Sequence, residues 1–131
     1  MINAEEGLRG YARMINRLDS AELEPLLAND FTYESQTVIT PVSSKAAFLE
    51  YINEKLAAIR NSGSKVWAEM GWLDYGFPGP CVIVAQGTKD NLVALVLAKI
   101  RDDQLLRLDM CVVPPPSSAR RSGEYPGLAA N

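Results

Sequence analysis

The chain has 131 residues, a length suited to one domain, and its 47% hydrophobic and 22% charged content excludes a disordered polymer. A net charge of -3, with Arg120-Arg121 as the basic cluster, argues against the positive face that nucleic acid requires. No histidine is present, which removes Ser-His-Asp and Cys-His triads, Asp-His dyads and histidine-ligated metals.

Residues 1–10 carry acidic side chains and lack the apolar core of a signal peptide. Leu8, Tyr11, Ala12, Ile15 and Leu18 then recur at helical spacing, with Glu5, Glu6, Arg9, Arg13 and Asn16 opposite, which predicts an amphipathic first helix. Asp19 and Ser20 offer N-caps for a second helix, and Asp19 with Glu22 reads as a capping-box variant. Pro25 leaves two options. The helix is short and irregular, or it begins at Pro25 and runs through Leu26, Leu27 and Ala28.

Residues 31–38 predict a strand with Phe31, Tyr33 and Ser35 on one face, and Pro41 ends that extended region. Ser43 or Ser44 caps a longer helix with Phe48, Ile52, Leu56 and Ile59 in one stripe, stopped by Gly63. From Lys65 the period changes to two, giving strands at 65–75, 81–88, 92–101 and 104–113. Their breaks are residues 76–80, 89–91 and the two-residue loop Asp102-Asp103. Gly71, Gly76, Gly79 and Gly87 need only a conformational role in these strands and turns. After Val113 the periodicity ends, so residues 1–113 read as the domain and 114–131 as a Pro/Ser/Gly-rich tail, extended or disordered and dispensable for folding.

Cys81 and Cys111 form no C-x-x-C and each sits in an apolar run, which predicts two buried free thiols and no metal site. Residues 92–98, the longest apolar run, fall far short of a membrane span. A soluble, cytoplasmic protein is expected. No P-loop, dinucleotide fingerprint or nucleophile elbow occurs, so no cofactor is expected.

The order of two helices, a strand, a long helix and a meander of strands resembles the NTF2-like superfamily, which includes SnoaL-like polyketide cyclases and ketosteroid isomerases. Residues 4–113 carry the resemblance. Locally, L-E-P-L-L-A-N-D-F at 23–31 looks like that family's second helix running into its first strand, and Ser44-Lys45 with Phe48-Leu49 and Tyr51-Ile52 is similar to the start of its third. The resemblance implies an α+β (cystatin-like) cone, in which a strongly curved antiparallel sheet wraps the long helix and the interior binds small molecules. It also implies a homodimer through the back of the sheet. It sets the isomerases' catalytic carboxylate near Ser35, where this chain has a serine, and the cyclases' Asp-His pair lacks its histidine here. A shared fold does not carry an activity.

The Asp102-Asp103 loop sets an expected register of Ile100 with Leu105, Ala98 with Arg107, Val96 with Asp109 and Ala94 with Cys111. Val93, Leu95, Leu97, Leu106, Leu108, Met110 and Val112 then line the cone. Ala94, Ala98, Arg107 and Asp109 form the back, an expected dimer interface. A one-residue bulge reverses the faces locally, and Asp109 then enters the cone beside Arg107, with Glu69 near, as an acid-base group. Tyr11, Tyr33, Ser35, Trp72, Leu108 and Met110 are the expected pocket, while Trp67 is plain packing. The leading expectation is a binder of a small apolar or amphipathic molecule, or a dimeric interaction module. The alternative is an isomerase, dehydratase or cyclase that uses Asp109 with a tyrosine.

Overall fold

A computed structural model describes residues 2–128. Helix α1 (Ala4–Arg17) forms where the apolar stripe predicts it; Asn3 caps it by accepting the Glu6 N–H, and Leu18 ends it at φ 54°. The expected second helix is a single 3-10 turn, Glu24–Leu26, with Pro25 in its first turn. Leu27 and Ala28 instead open strand β1 (Leu27–Ser35). Both are buried, and Leu27 pairs with Leu105, so sheet burial overrides their helix propensity.

The strand expected over 31–38 proves to be a hairpin, in which β1 turns into β2 (Val38–Ser43). Pro41 lies inside β2, which is tolerated because β2 is an edge strand. Helix α2 (Lys45–Ser62) follows as expected: Ser44 Oγ accepts the Ala47 N–H, and Gly63 stops the helix at φ 72°. Strands β3 (Val66–Leu73), β4 (Gly79–Gln86), β5 (Leu92–Arg101) and β6 (Gln104–Cys111) complete the meander.

One seven-stranded sheet results, in the order β2-β1-β6-β5-β4-β3-β7, where β7 is Arg120–Arg121. The sheet is mixed, because β1 runs parallel to β6, and this corrects the antiparallel expectation. Helix α1 lies across β3, β4 and β5, and α2 against β1 and β2, so the sheet wraps both helices and not the long one alone. Tyr11, Phe31, Phe48, Leu8 and Leu108 fill the space between helices and sheet. No described helix is long and apolar enough to cross a membrane.

The β5–β6 register holds at the loop and then departs from expectation. Asp102 and Asp103 have φ of 50° and 69°, and Ile100 pairs with Leu105 as predicted. A bulge follows, so Lys99 pairs with Arg107, Ala98 with Leu108, Leu97 with Asp109 and Leu95 with Cys111. Ala94, Val96 and Ala98 therefore face the helices together with Leu108 and Met110. Arg107 and Asp109 do lie on the back, but Ala94 and Ala98 do not accompany them.

The tail is docked as far as residue 128, through a 3-10 turn (Pro116–Ser118), a short strand and a closing turn at 126–128; residues 129–131 lie outside the described residues. Ala119 closes an apolar cluster of Leu73, Cys81, Ile83 and Leu95 on the outer face. Strand β7 then pairs with β3, and a Cβ at Gly71 would lie 2.9 Å from the Arg120 carbonyl oxygen, so glycine is what admits the tail there. Beyond β7, Ser122 N–H donates to Met70 O, and Met70 N–H to Glu124 O. Arg9 Nε binds Glu124 Oε2 at 2.9 Å, and Asn16 Nδ2 donates to Pro126 O at 2.7 Å. The expectation of a dispensable tail overlooked this because extended docking needs hydrogen bonds and a few small contacts, not apolar periodicity.

Truncation after Val113 is therefore expected to lower the Tm by several degrees and to uncover Cys81. Burial pushes the Cys81 thiol up to about 11, which slows alkylation at pH 8 by roughly two orders of magnitude against a free thiol. Iodoacetamide labelling of Cys81 should accelerate in the truncated chain and in Gly71→Ala; equal rates in all three would show that the tail does not hold this face closed.

The Arg9–Glu124 pair also predicts a pH dependence. Its hydrogen bond holds the Glu124 carboxyl below its ordinary 4.5, so its contribution is complete above that value and is lost as pH falls through the lowered one. At this half-exposed site the effect is below about 1 kcal/mol. The Tm gap between the wild type and Glu124→Gln should be constant from pH 7 to about 5 and close in more acidic buffer.

Candidate functional site

Arg107 and Asp109, two residues apart on β6, project from the face turned away from the helices. Arg107 Nε lies 2.9 Å from Asp109 Oδ2, and Nη2 lies 2.8 Å from Asp109 Oδ1. Nη2 also donates to Glu34 Oε2. The parallel pairing with β1 sets Glu34 opposite Asp109, and β5 sets Lys99 and Leu97 opposite Arg107 and Asp109. These carboxylates, Asp109 foremost, raise the Arg107 guanidinium pKa further above its ordinary range. The cluster is about one quarter to under one half exposed, so the pair is neither buried nor freely solvated.

A cavity of about 560 Å³ opens over this cluster, lined by Glu34, Leu97, Lys99, Arg107, Asp109 and Cys111, with Ser35, Gln36 and Met110 at the β1–β6 side, and it reaches Ala98 and Ala4 at the start of α1. The loop between β3 and β4 supplies Phe77, Pro78, Gly79 and Pro80. Gln36 braces the end of β6: its Oε1 accepts the N–H groups of Val112 and Val113, and its Nε2 donates to Val113 O.

Five of the six expected pocket residues converge on the opposite, helix-facing side. Tyr33 pairs with Leu108 and Ser35 with Met110, and Tyr11 packs in the same core. Tyr33 OH donates to Met110 Sδ at 3.7 Å, and the rings of Tyr33 and Tyr51 are 5.7 Å apart. Burial pushes the phenols of Tyr11 and Tyr33 upward, which makes both neutral hydrogen-bonding groups at ordinary pH. Tyr11, Tyr33 and Leu108 are almost wholly buried as packing. Ser35 and Met110 also line the cavity. Trp72 is 44% exposed and stands on β3, four strands from β1, beside Arg120 and Arg121. It does not join the other five.

Glu69 does not join Asp109 either. It is buried on β3, where Arg121 Nε lies 2.8 Å from its Oε1, and Gly123 N–H donates to its Oε2 at 2.8 Å. Cys81 and Cys111 are free and buried, as expected. Among the described residues no group of acidic and thiol side chains is arranged to hold a metal ion. Sequence reasoning missed Glu34, Lys99 and Phe77. The parallel β1–β6 pairing places Glu34, the β5–β6 bulge places Lys99 and the β3–β4 loop places Phe77, and no local pattern encodes any of these.

No family model and no curated protein matches this sequence. Solved structures match it in shape. A proposed polyketide cyclase from Sinorhizobium meliloti aligns with TM-score 0.58 at 17% identity, over 81% of this chain and 94% of its own. An NTF2-like protein of unknown function from Cytophaga hutchinsonii gives 0.58 at 10% identity, over 87% and 95%. A proposed ketosteroid isomerase from Kribbella flavida gives 0.57 at 18% identity, over 81% and 74%. The chain has the NTF2-like fold, as the resemblance of residues 4–113 implied.

Arg107 keeps two carboxylates together on the outer face. Arg107→Met should cost about 1–2 kcal/mol in urea unfolding, because Glu34 and Asp109 are left side by side without their common donor. Adding Glu34→Gln and Asp109→Asn should recover at least half of the loss. No recovery would mean that Arg107 acts through the packing of its stem.

Proposed function

We propose that this NTF2-like domain binds a small amphipathic molecule in the cavity of its outer face and performs no chemistry on it. The observation that carries the reading is the cavity itself, with an ion-paired floor and an apolar side formed by Phe77, Pro78 and Leu97. Cavities of a few hundred Å³ with apolar walls and a few placed polar groups suit such ligands. The isomerase, dehydratase or cyclase alternative needs Asp109 and a tyrosine on one substrate. Asp109 lies on the outer face, while Tyr33 faces the helices, so the sheet stands between them. Asp109 also has both oxygens engaged by Arg107, which leaves it poorly placed as a base.

A homodimer through the same face is the companion reading, now with Leu97, Lys99, Arg107 and Asp109 at its centre. Val93, which alternates with Leu95 and Leu97 along β5 and is 37% exposed, favours it, and a partner there would cover the cavity. An obligate interface buries on the order of 2,000 Å² or more, and sedimentation at micromolar concentration should then show twice the 14.3 kDa chain mass. The two buried free thiols suit a reducing compartment, which supports a cytoplasmic location.

Thermal shift with apolar ligands, ketosteroids and small cyclic ketones tests the binding reading. Hits should stabilise the wild type and Tyr33→Phe but not Leu97→Trp, in which the indole fills the cavity. Conversion of any hit by the wild type, reduced about 10²–10⁴-fold in Asp109→Asn, would overturn the non-catalytic reading.

A further inference from the structure

We infer that the outer-face cavity selects an anionic amphiphile, a carboxylate on an apolar body, seated on Lys99 and Arg107. The inference rests on the binding reading above and names the ligand class for that cavity. It follows from what hydrogen-bonding capacity is left unspent there.

Arg107 has five N–H donors in a fixed fork. Its Nε and Nη2 are committed to Asp109 and Glu34, while Nη1 has no partner among the described residues. The Lys99 ammonium, exposed on β5 beside it, makes no hydrogen bond or ion pair among the described residues. The acceptors are more fully used: both Asp109 oxygens and one Glu34 oxygen already take Arg107 donors. The walls therefore offer donors more than acceptors.

The four charged side chains of the lining sum to zero, two carboxylates against Arg107 and Lys99, so the preference rests on which group is unpaired. Glu34 and Asp109 are both held by Arg107, whereas a ligand ammonium would meet the unpaired Lys99. A carboxylate would pair with Lys99 and take the free Nη1 hydrogens, which are charge-assisted bonds. The ligand's apolar body would cover Phe77, which is 66% exposed at the cavity although it is a large aromatic ring. Pro78 and Leu97 extend that apolar surface.

The test is a matched series with one body and three heads: 4-phenylbutanoate, 4-phenylbutan-1-ol and 4-phenylbutylamine, titrated calorimetrically at pH 7 into the wild type, Lys99→Gln and Leu97→Trp. The acid is expected to bind at least tenfold more tightly than the alcohol, with the amine weakest. Lys99→Gln should weaken the acid about tenfold and leave the alcohol unchanged, and added salt should weaken the acid alone. Leu97→Trp should abolish binding of all three. Equal affinities for acid and alcohol, or an acid affinity unmoved by Lys99→Gln, overturn the headgroup inference and leave the cavity reading standing. If the amine binds best, the site recognises cations and the inference is likewise overturned. Absence of binding by all three overturns the inference, and the cavity reading falls with it only if the broader ligand panel also fails.

Discussion

Between Ile100 and Lys99 on β5, the facing strand advances by two residues, from Leu105 to Arg107. Side chains alternate across a strand with period two, so one extra residue exchanges the faces of everything beyond it. Here the exchange sends Leu108 and Met110 inward with Ala94, Val96 and Ala98, and it turns Arg107 and Asp109 outward beside Lys99 and Leu97. Without the bulge, the two charged residues would share a face with the alanines that pack under α1. Leu105, fully buried and paired with Leu27, anchors the near side of the bulge. The core and the polar cluster thus depend on the same local irregularity.

The outer face is divided between two coverings. On the β3–β4–β5 side, the tail lays Ala119 on Leu73, Cys81, Ile83 and Leu95, and Arg121 closes over Glu69. Glu69 is a buried carboxylate that stays compatible with folding because Arg121, Gly123 N–H and the Tyr125 hydroxyl all face it. On the β1–β6–β5 side no described tail residue lines the cavity, and the ion-paired cluster stands open to it. An apolar patch large enough to call for a partner across the whole sheet is therefore reduced to the region around Leu97.

Much of the fold was legible because it rests on strong periodic signals. The α1 stripe, the Ser44 cap, the Gly63 stop and the Asp102-Asp103 turn each follow from one residue type meeting one conformational demand. What escaped was set by long-range pairing. Leu27 and Ala28 became strand because Leu105 waits across the sheet, and the 114–128 segment docks through backbone hydrogen bonds that leave no periodic trace. The candidate site was half legible for the same reason. The alternation along 104–113 puts Arg107 and Asp109 on the back of the sheet, whereas their neighbours Glu34, Lys99 and Leu97 depend on a bulge and a parallel register.

The sheet separates Tyr33 from the Arg107–Asp109 cluster. Tyr33 points toward the helices, where Tyr11, Phe48 and Leu108 leave it in packed surroundings. A buried neutral phenol there contributes a hydrogen bond to Met110 and volume to the core. The charged groups, by contrast, stand on the open face, with Glu34 and Asp109 both held by Arg107. Acid-base catalysis needs a proton donor and acceptor within reach of the same atoms. The recognition proposed for this cavity needs only a shaped surface and donors without partners, and Lys99 with the Nη1 edge of Arg107 is what supports that proposal.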